Sequence, residues 1–208
     1  MKRILIFCGL ICFVAATNAY ANSITLSAPD TKGGKPLMEV LSKRQTNREF
    51  ASTPLDLQTL SNLLYAAAGQ NRSDGKLTYP TARDSRNMRV VVVMPQGAYN
   101  YDPKSLELSK ITDTDLRPIL AVQLFVTNAP ITLLYIADLS KSNEAYSAMH
   151  AGSMYQNASL FCASVGLNNV VRGLFPADKI AKELNLPKNE KIIVTQTIGF
   201  PPKEKKIN

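Results

Sequence analysis

The sequence has no tryptophan, one histidine and three cysteines among its 208 residues. A lone histidine without a cysteine cluster excludes the usual ligand sets of a structural zinc site. No H-E-x-x-H, G-x-S-x-G, P-loop or G-x-G-x-x-G pattern occurs. That excludes the sequence signatures of zinc proteases, α/β-hydrolases, Walker nucleotide sites and dinucleotide-binding crossovers. No apolar run reaches the ~20 residues that cross a bilayer, so no stable membrane insertion is expected. There is no internal repeat. The 45% apolar content is too high for a disordered chain. The length suits one domain with a short appendage.

The N-terminus reads as that appendage. Lys2 and Arg3 precede an apolar stretch from Ile4 to Ala16, and Ala19-Tyr20-Ala21 is a small-residue cleavage site. This predicts a signal peptide over 1–21, cleaved after Ala21, and a secreted or periplasmic product. Residues 22–35 read as a flexible lead-in and 36–208 as the folded domain. Removing residues 1–21 takes two cations and no anion, so the net charge falls from +8 to +6. Cys8 and Cys12 go as well. Cys162 alone cannot form an internal disulfide, so the fold must rest on packing. For an exported basic chain, the candidate partners are an anionic membrane surface or an anionic small molecule, and export disfavours nucleic acid.

Hydrophobic periodicity predicts an amphipathic helix from Pro36 to Lys43, and another running from Asp56, as cap, to Gly69. Gln70 to Arg89 reads as a long polar loop. Val90–Met94 and Ile131–Ile136 read as buried strands, with a hairpin between Ala98 and Leu108. Thr114–Thr127 reads as a helix. Asn143–Val165 reads as a long helix, apolar or small on nearly every face and so buried all round. A short strand at Asn169–Val171, a helix at Pro176–Leu184 and a last strand at Ile192–Ile198 complete the order. Strands and helices mix without strict alternation, which predicts an α+β fold with a sheet flanked by helices.

Catalytic side chains are scarce. His150 and Cys162 both fall in the long helix and read as core residues. Two polar segments stand out. Lys43-Arg44-Gln45-Thr46-Asn47-Arg48-Glu49-Phe50 places cations around a hydroxyl, a donor set suited to phosphate. Pro80-Thr81-Ala82-Arg83-Asp84-Ser85-Arg86-Asn87 is dense in hydrogen-bonding groups suited to reading a flat heterocycle.

At these residues the chain resembles the FMN-dependent nitroreductases. Arg44 to Phe50 resembles their R-R-S-x-R-x-F opening, and Pro80 to Arg86 their P-S-A-R-N-S-Q segment. Leu63 to Arg72 is similar to the L-L-W-A-A-x-G-x-N-R stretch of the SagB-type dehydrogenase branch. Ala151 to Asn157 followed by Gly166-Leu167 is similar to the central helix. Ile198-Gly199-Phe200-Pro201 is similar to the closing I-G-Y-P. The resemblance implies a nitroreductase-like mixed sheet flanked by helices, in an intertwined homodimer with one FMN at each end of the interface.

Residue by residue, it implies that Arg44, Thr46 and Arg48, with Gln45 beside them, hold the phosphate and ribityl chain. It places Pro80, Thr81, Ala82, Arg83 and Asp84 of the other subunit against the ring. Val171, Arg172 and Gly173 would lie by its reactive side, where a backbone N–H can stabilise charge. Lys205 or Lys206 would approach the phosphate. Chemistry carried by FMN needs no catalytic side chain and no metal. The implied activity is a ping-pong two-electron transfer to a small aromatic, quinone or peptide-like substrate, from an unidentified donor. Gln45 stands where the family has Arg, Asp84 where it has Asn, Arg86 where it has Gln, and Tyr65 where Trp is usual. The alternative is a non-catalytic periplasmic dimer that binds flavin or another anionic ligand.

Overall fold

The computed structural model describes residues 23–203. The expected signal peptide, Lys205 and Lys206 lie outside the described residues. The elements are β1 (Ser23–Thr25), α1 (Leu37–Lys43), α2 (Leu57–Ala68), β2 (Met88–Met94), β3 (Gly97–Asp102), β4 (Glu107–Thr112) and α3 (Arg117–Leu120). They continue with β5 (Ile131–Asp138), α4 (Glu144–Val165), β6 (Asn168–Arg172), α5 (Ala177–Glu183) and β7 (Glu190–Gly199). Seven strands form one antiparallel sheet in the order β1-β4-β3-β2-β5-β7-β6. The fold is α+β, as the mixed element order requires.

Strand alternation gives the sheet two apolar faces. Val90, Val92, Leu133 and Tyr135 pack with Leu63, Leu64 and Ala67 of α2 and with Ala151, Met154, Ala158 and Cys162 of α4. Val91, Val93, Leu134 and Ile136 pack with Leu116, which precedes α3, with Leu120 of α3 and with Ile180 of α5. Each helix therefore buries one stripe. Asp56 caps α2 by accepting the Thr59 N–H at 2.8 Å, and Asn143 caps α4 by accepting that of Tyr146 at 2.8 Å. Gly166 ends α4 in the left-handed conformation, with φ +78°.

Three readings change. Ser23–Thr25, inside the expected lead-in, pairs with Glu107–Ser109 of β4 as an edge strand. The helix expected over Thr114–Thr127 is one turn followed by a separate 3-10 turn at Leu124–Val126. Its apolar residues serve different clusters: Leu116 and Leu120 join the α5 side, while Phe125 packs on Phe50, Ala129 and Val170. One straight helix cannot face both. Finally, α4 is buried on one face only: Met149 is 66% exposed, and Tyr146 and Val165 are also open. Its small residues let the sheet approach on one side and leave the opposite side bare in the single chain.

Candidate functional site

The basic segment after α1 is extended, and the free edge of the sheet holds it. The Asn47 N–H donates to the Asn169 carbonyl at 2.9 Å, and Asn168 Nδ2 donates to the Glu49 carbonyl at 2.8 Å. The segment thus runs antiparallel along β6, and its course carries Gln45 and Arg44 toward the end of that strand. Asn169 turns its carbonyl to this outer edge, so alternation turns the N–H and carbonyl of Val171 to the same edge. Tertiary structure thereby gathers Arg44–Arg48 and Val171–Gly173, which are far apart in sequence.

The donors of this cluster are uncommitted. Among the described residues, Arg44, Gln45 and Thr46 make no side-chain hydrogen bond or ion pair, and Arg48 only lies over the Phe125 ring, 6.0 Å from its centroid. Three other guanidinium groups are paired with carboxylates, Arg86 with Asp84, Arg89 with Glu190 and Arg117 with Asp115, whereas Arg72 and Arg172 bond to carbonyls. Two arginines without a carboxylate, one hydroxyl and an open strand edge make a donor set for an anion.

Arg172 keeps its side chain inside the fold. Its side chain shares a sheet face with Thr195 and Leu134, away from α4, and Nη1 donates to the Leu120 carbonyl at 3.1 Å. It is 4% exposed, and its Nε and Nη2 have no partner. Burial pushes the pKa of this guanidinium down. The side chain is therefore withdrawn beneath Leu120 rather than displayed at the strand edge. Gly173 is exposed, with open space where a Cβ would stand.

The second predicted segment forms a 3-10 turn, Ala82–Asp84, leading into β2. Arg83, Asp84 and Arg86 all have positive φ, at 55°, 52° and 42°. Left-handed backbone in non-glycine residues carries strain and is held by its surroundings. Arg86 grips Asp84 with two bonds, Nε to Oδ1 at 2.8 Å and Nη2 to Oδ2 at 2.9 Å, and reaches the Gly75 carbonyl at 3.2 Å. That grip lowers the pKa of Asp84, so the carboxylate is kept charged and already paired. Tyr79, Pro80, Thr81, Asp84 and Arg86 line a cleft of about 330 Å³ with Arg72 and Lys76.

Beneath this turn lies a group that sequence reasoning assigned to the core alone. His150 Nε2 accepts the Ala82 N–H at 2.7 Å, and Nδ1 lies 2.9 Å from Asn87 Oδ1. Asn87 Nδ2 donates to Ser147 Oγ at 2.8 Å, and Ser147 Oγ donates to the Asn143 carbonyl at 2.7 Å. No local pattern signals this, because Ala82 and Asn87 stand 60 or more residues from their partners His150 and Ser147. Cys162 is fully buried, and burial raises its thiol pKa far above the usual range, which makes it inert.

Sheet register fixes the distance between the two segments. Asn169 is level with Ile198, which is level with Ile131. Met88 is level with Ala137, at the other end of β5 and three strands from β6. The diagonal is about 24 Å at ordinary strand rise and spacing. Within one chain, Thr46–Arg48 and the 80–86 segment therefore occupy opposite corners of the sheet.

This architecture is that of the nitroreductases. The chain belongs to the nitroreductase family, whose family model matches residues 41–200. Members of this family are oxidoreductases and generally use FMN. A candidate nitroreductase of Methanocaldococcus jannaschii is 31% identical over 182 residues, covering 79% of this chain and 91% of that protein. The crystal structure of a candidate nitroreductase from Ralstonia eutropha JMP134 is 39% identical and superposes with a TM-score of 0.84, covering 91% of this chain and 94% of that one. A chain of the Escherichia coli microcin synthetase McbBCD complex shares the fold, with a TM-score of 0.69 at 19% identity over 97% of this chain and 85% of that one.

Proposed function

We propose that the protein is an exported FMN-dependent oxidoreductase of the SagB-type dehydrogenase branch, active as a homodimer. The observation that carries this reading is the pair of uncommitted arginines, Arg44 and Arg48, laid along the open edge of β6. They fit a phosphate monoester, to which Arg donates in bidentate fashion and Thr46 adds a neutral donor. Gln45 contributes an amide beside them. The Val171 N–H and the exposed backbone of Gly173 stand at the same edge, where fixed N–H dipoles stabilise developing negative charge. FMN, when bound there, supplies two-electron chemistry between a donor and a small aromatic, quinone or peptide-like acceptor. The residues of the chain bind and orient it, and no side chain need exchange protons.

The roughly 24 Å diagonal exceeds what one FMN bridges. A second copy therefore supplies Pro80–Asp84 to each site, across the open face of α4. The 1–21 segment directs the chain to the periplasm or outside the cell, and one of Lys205 or Lys206 is assigned to the phosphate.

A spectrum tests the reading directly. Protein beginning at Asn22 is incubated with FMN, desalted and measured for visible flavin absorbance and oligomeric state. One flavin per chain in a dimer supports the proposal, and a colourless protein overturns it. One specific observation favours a second reading, a dimer that binds FMN without turnover: Asp84 puts a carboxylate, already gripped by Arg86, in the ring-facing segment. Reduction by dithionite followed by a quinone or nitroaromatic separates the two. Reoxidation by the acceptor supports the enzyme, and a flavin that stays reduced under anaerobic conditions supports the binding dimer.

A further inference from the structure

The hydrogen bonds around His150 have fixed directions. The Ala82 N–H can only donate, so Nε2 must carry a lone pair. The Asn143 carbonyl at the far end can only accept, so Ser147 Oγ donates to it, Asn87 Nδ2 donates to Ser147, and Asn87 Oδ1 is left to accept. His150 is therefore neutral, with its proton on Nδ1 and directed at Asn87. A second proton would stand on Nε2, facing the Ala82 N–H. Two donors would then oppose each other at 2.7 Å.

The turn that this bond holds is strained. Its backbone makes two internal bonds, Asp84 N–H to the Thr81 carbonyl at 3.3 Å and Ser85 N–H to the Ala82 carbonyl at 3.1 Å, and the Arg86–Asp84 ion pair joins residues of the same segment. Positive φ at Arg83, Asp84 and Arg86 gives the backbone a reason to relax once released.

We propose that neutral His150 is the positioning residue of the Thr81–Asp84 turn, and that proton uptake by its imidazole frees the turn from α4. The turn's role at the ring rests on the function proposed above, whereas the clasp itself does not. Charged groups of the adjoining segments are engaged elsewhere. Asp84 pairs with Arg86, Asp138 at the end of β5 holds Asn189, Glu144 at the start of α4 pairs with Lys191, and Arg83 is exposed. The imidazole's own partners are uncharged. Burial lowers the pKa of His150, which keeps the clasp closed at neutral pH.

As His150 is the only histidine in the sequence, one nitrogen-15 spectrum of the flavin-free protein reads it without assignment. The expected result at pH 8 is the Nδ1–H tautomer, the minor one of free imidazole. Amide exchange at Ala82, corrected for intrinsic rates, is then followed as the pH falls. The opening equilibrium rises about tenfold per pH unit between about 6.5 and the lower pKa of the closed state. His150→Gln keeps an acceptor but does not titrate, so its Ala82 protection stays level with pH. An Nε2–H tautomer, or wild-type protection at Ala82 that ignores the titration, overturns the proposal. If His150→Gln does not fold, the wild-type tautomer and titration still decide. Failure to retain FMN would sink the functional reading and leave this measurement unaffected.

Discussion

The backbone N–H of Asn47 donates to the carbonyl oxygen of Asn169 at 2.9 Å and so extends the sheet by one more, irregular, segment. This bond does two things. It covers part of the exposed edge of β6, which would otherwise offer unpaired groups to another chain. It also carries Gln45 and Arg44 toward the strand end that holds Val171 and Gly173, with Arg48 nearer Asn168.

Arg44→Ala combined with Arg48→Ala should weaken FMN binding by at least about 100-fold. Each hydrogen bond to a charged group contributes roughly 1.5–3 kcal/mol. Titration of flavin fluorescence against both proteins measures this. The urea midpoint should move little, because neither arginine holds a carboxylate.

Asp84→Asn leaves the Arg86 guanidinium without its counter-charge beside the turn proposed to face the ring. The midpoint potential of bound FMN should then become more positive, since a nearby cation favours the electron-rich reduced form. A spectroelectrochemical titration of both holoproteins decides it, and an unchanged potential would place Asp84 outside the flavin's field.

Leu63 is fully buried between the sheet and α4. Leu63→Ala should cost about 3 kcal/mol in unfolding free energy by urea denaturation. Asp56→Ala, which removes only the α2 cap, should cost about 1 kcal/mol.

Stability should depend on pH through His150. Its pKa in the folded chain lies below the usual 6.5, so the unfolded chain binds the proton more readily. Unfolding free energy is therefore complete above about pH 6.5 and falls as the pH drops from there toward the folded pKa. Asp138 adds a loss at lower pH. Ser140 and Asn189 hold its carboxyl at about 2, so its contribution fades as the pH falls from the ordinary carboxylate range to about 2. Urea midpoints across this range should show both limbs, and His150→Gln should flatten the upper one.

Cys162 should resist a thiol reagent such as DTNB in folded protein beginning at Asn22 at pH 8, and react once per chain in denaturant. Its burial excludes both the reagent and the thiolate. Reaction in the native protein would show that α4 opens readily.

Much of the fold was legible because helices and strands announce themselves locally. Leu60, Leu63, Leu64 and Ala67 recur at helical spacing and bury one side of α2. The Val90–Met94 run lies inside β2, and Asp56, Asn143 and Gly166 sit at helix ends as their chemistry requires. The segment from Leu116 to Val126 failed as a helix because its apolar residues answer to two separate clusters, which periodicity within a window cannot reveal.

The sequence by itself determined the α+β order, the caps, and the two polar segments that chemistry singles out. These depend on neighbours three or four residues away along a helix, or two along a strand. Only the tertiary structure decided that Arg172 turns beneath Leu120, that His150 is clasped to Ala82, and that the two segments lie at opposite corners of the sheet. Each of these depends on partners tens of residues away, whose register exists only once β2, β5, β7 and β6 have paired and α4 has packed across them.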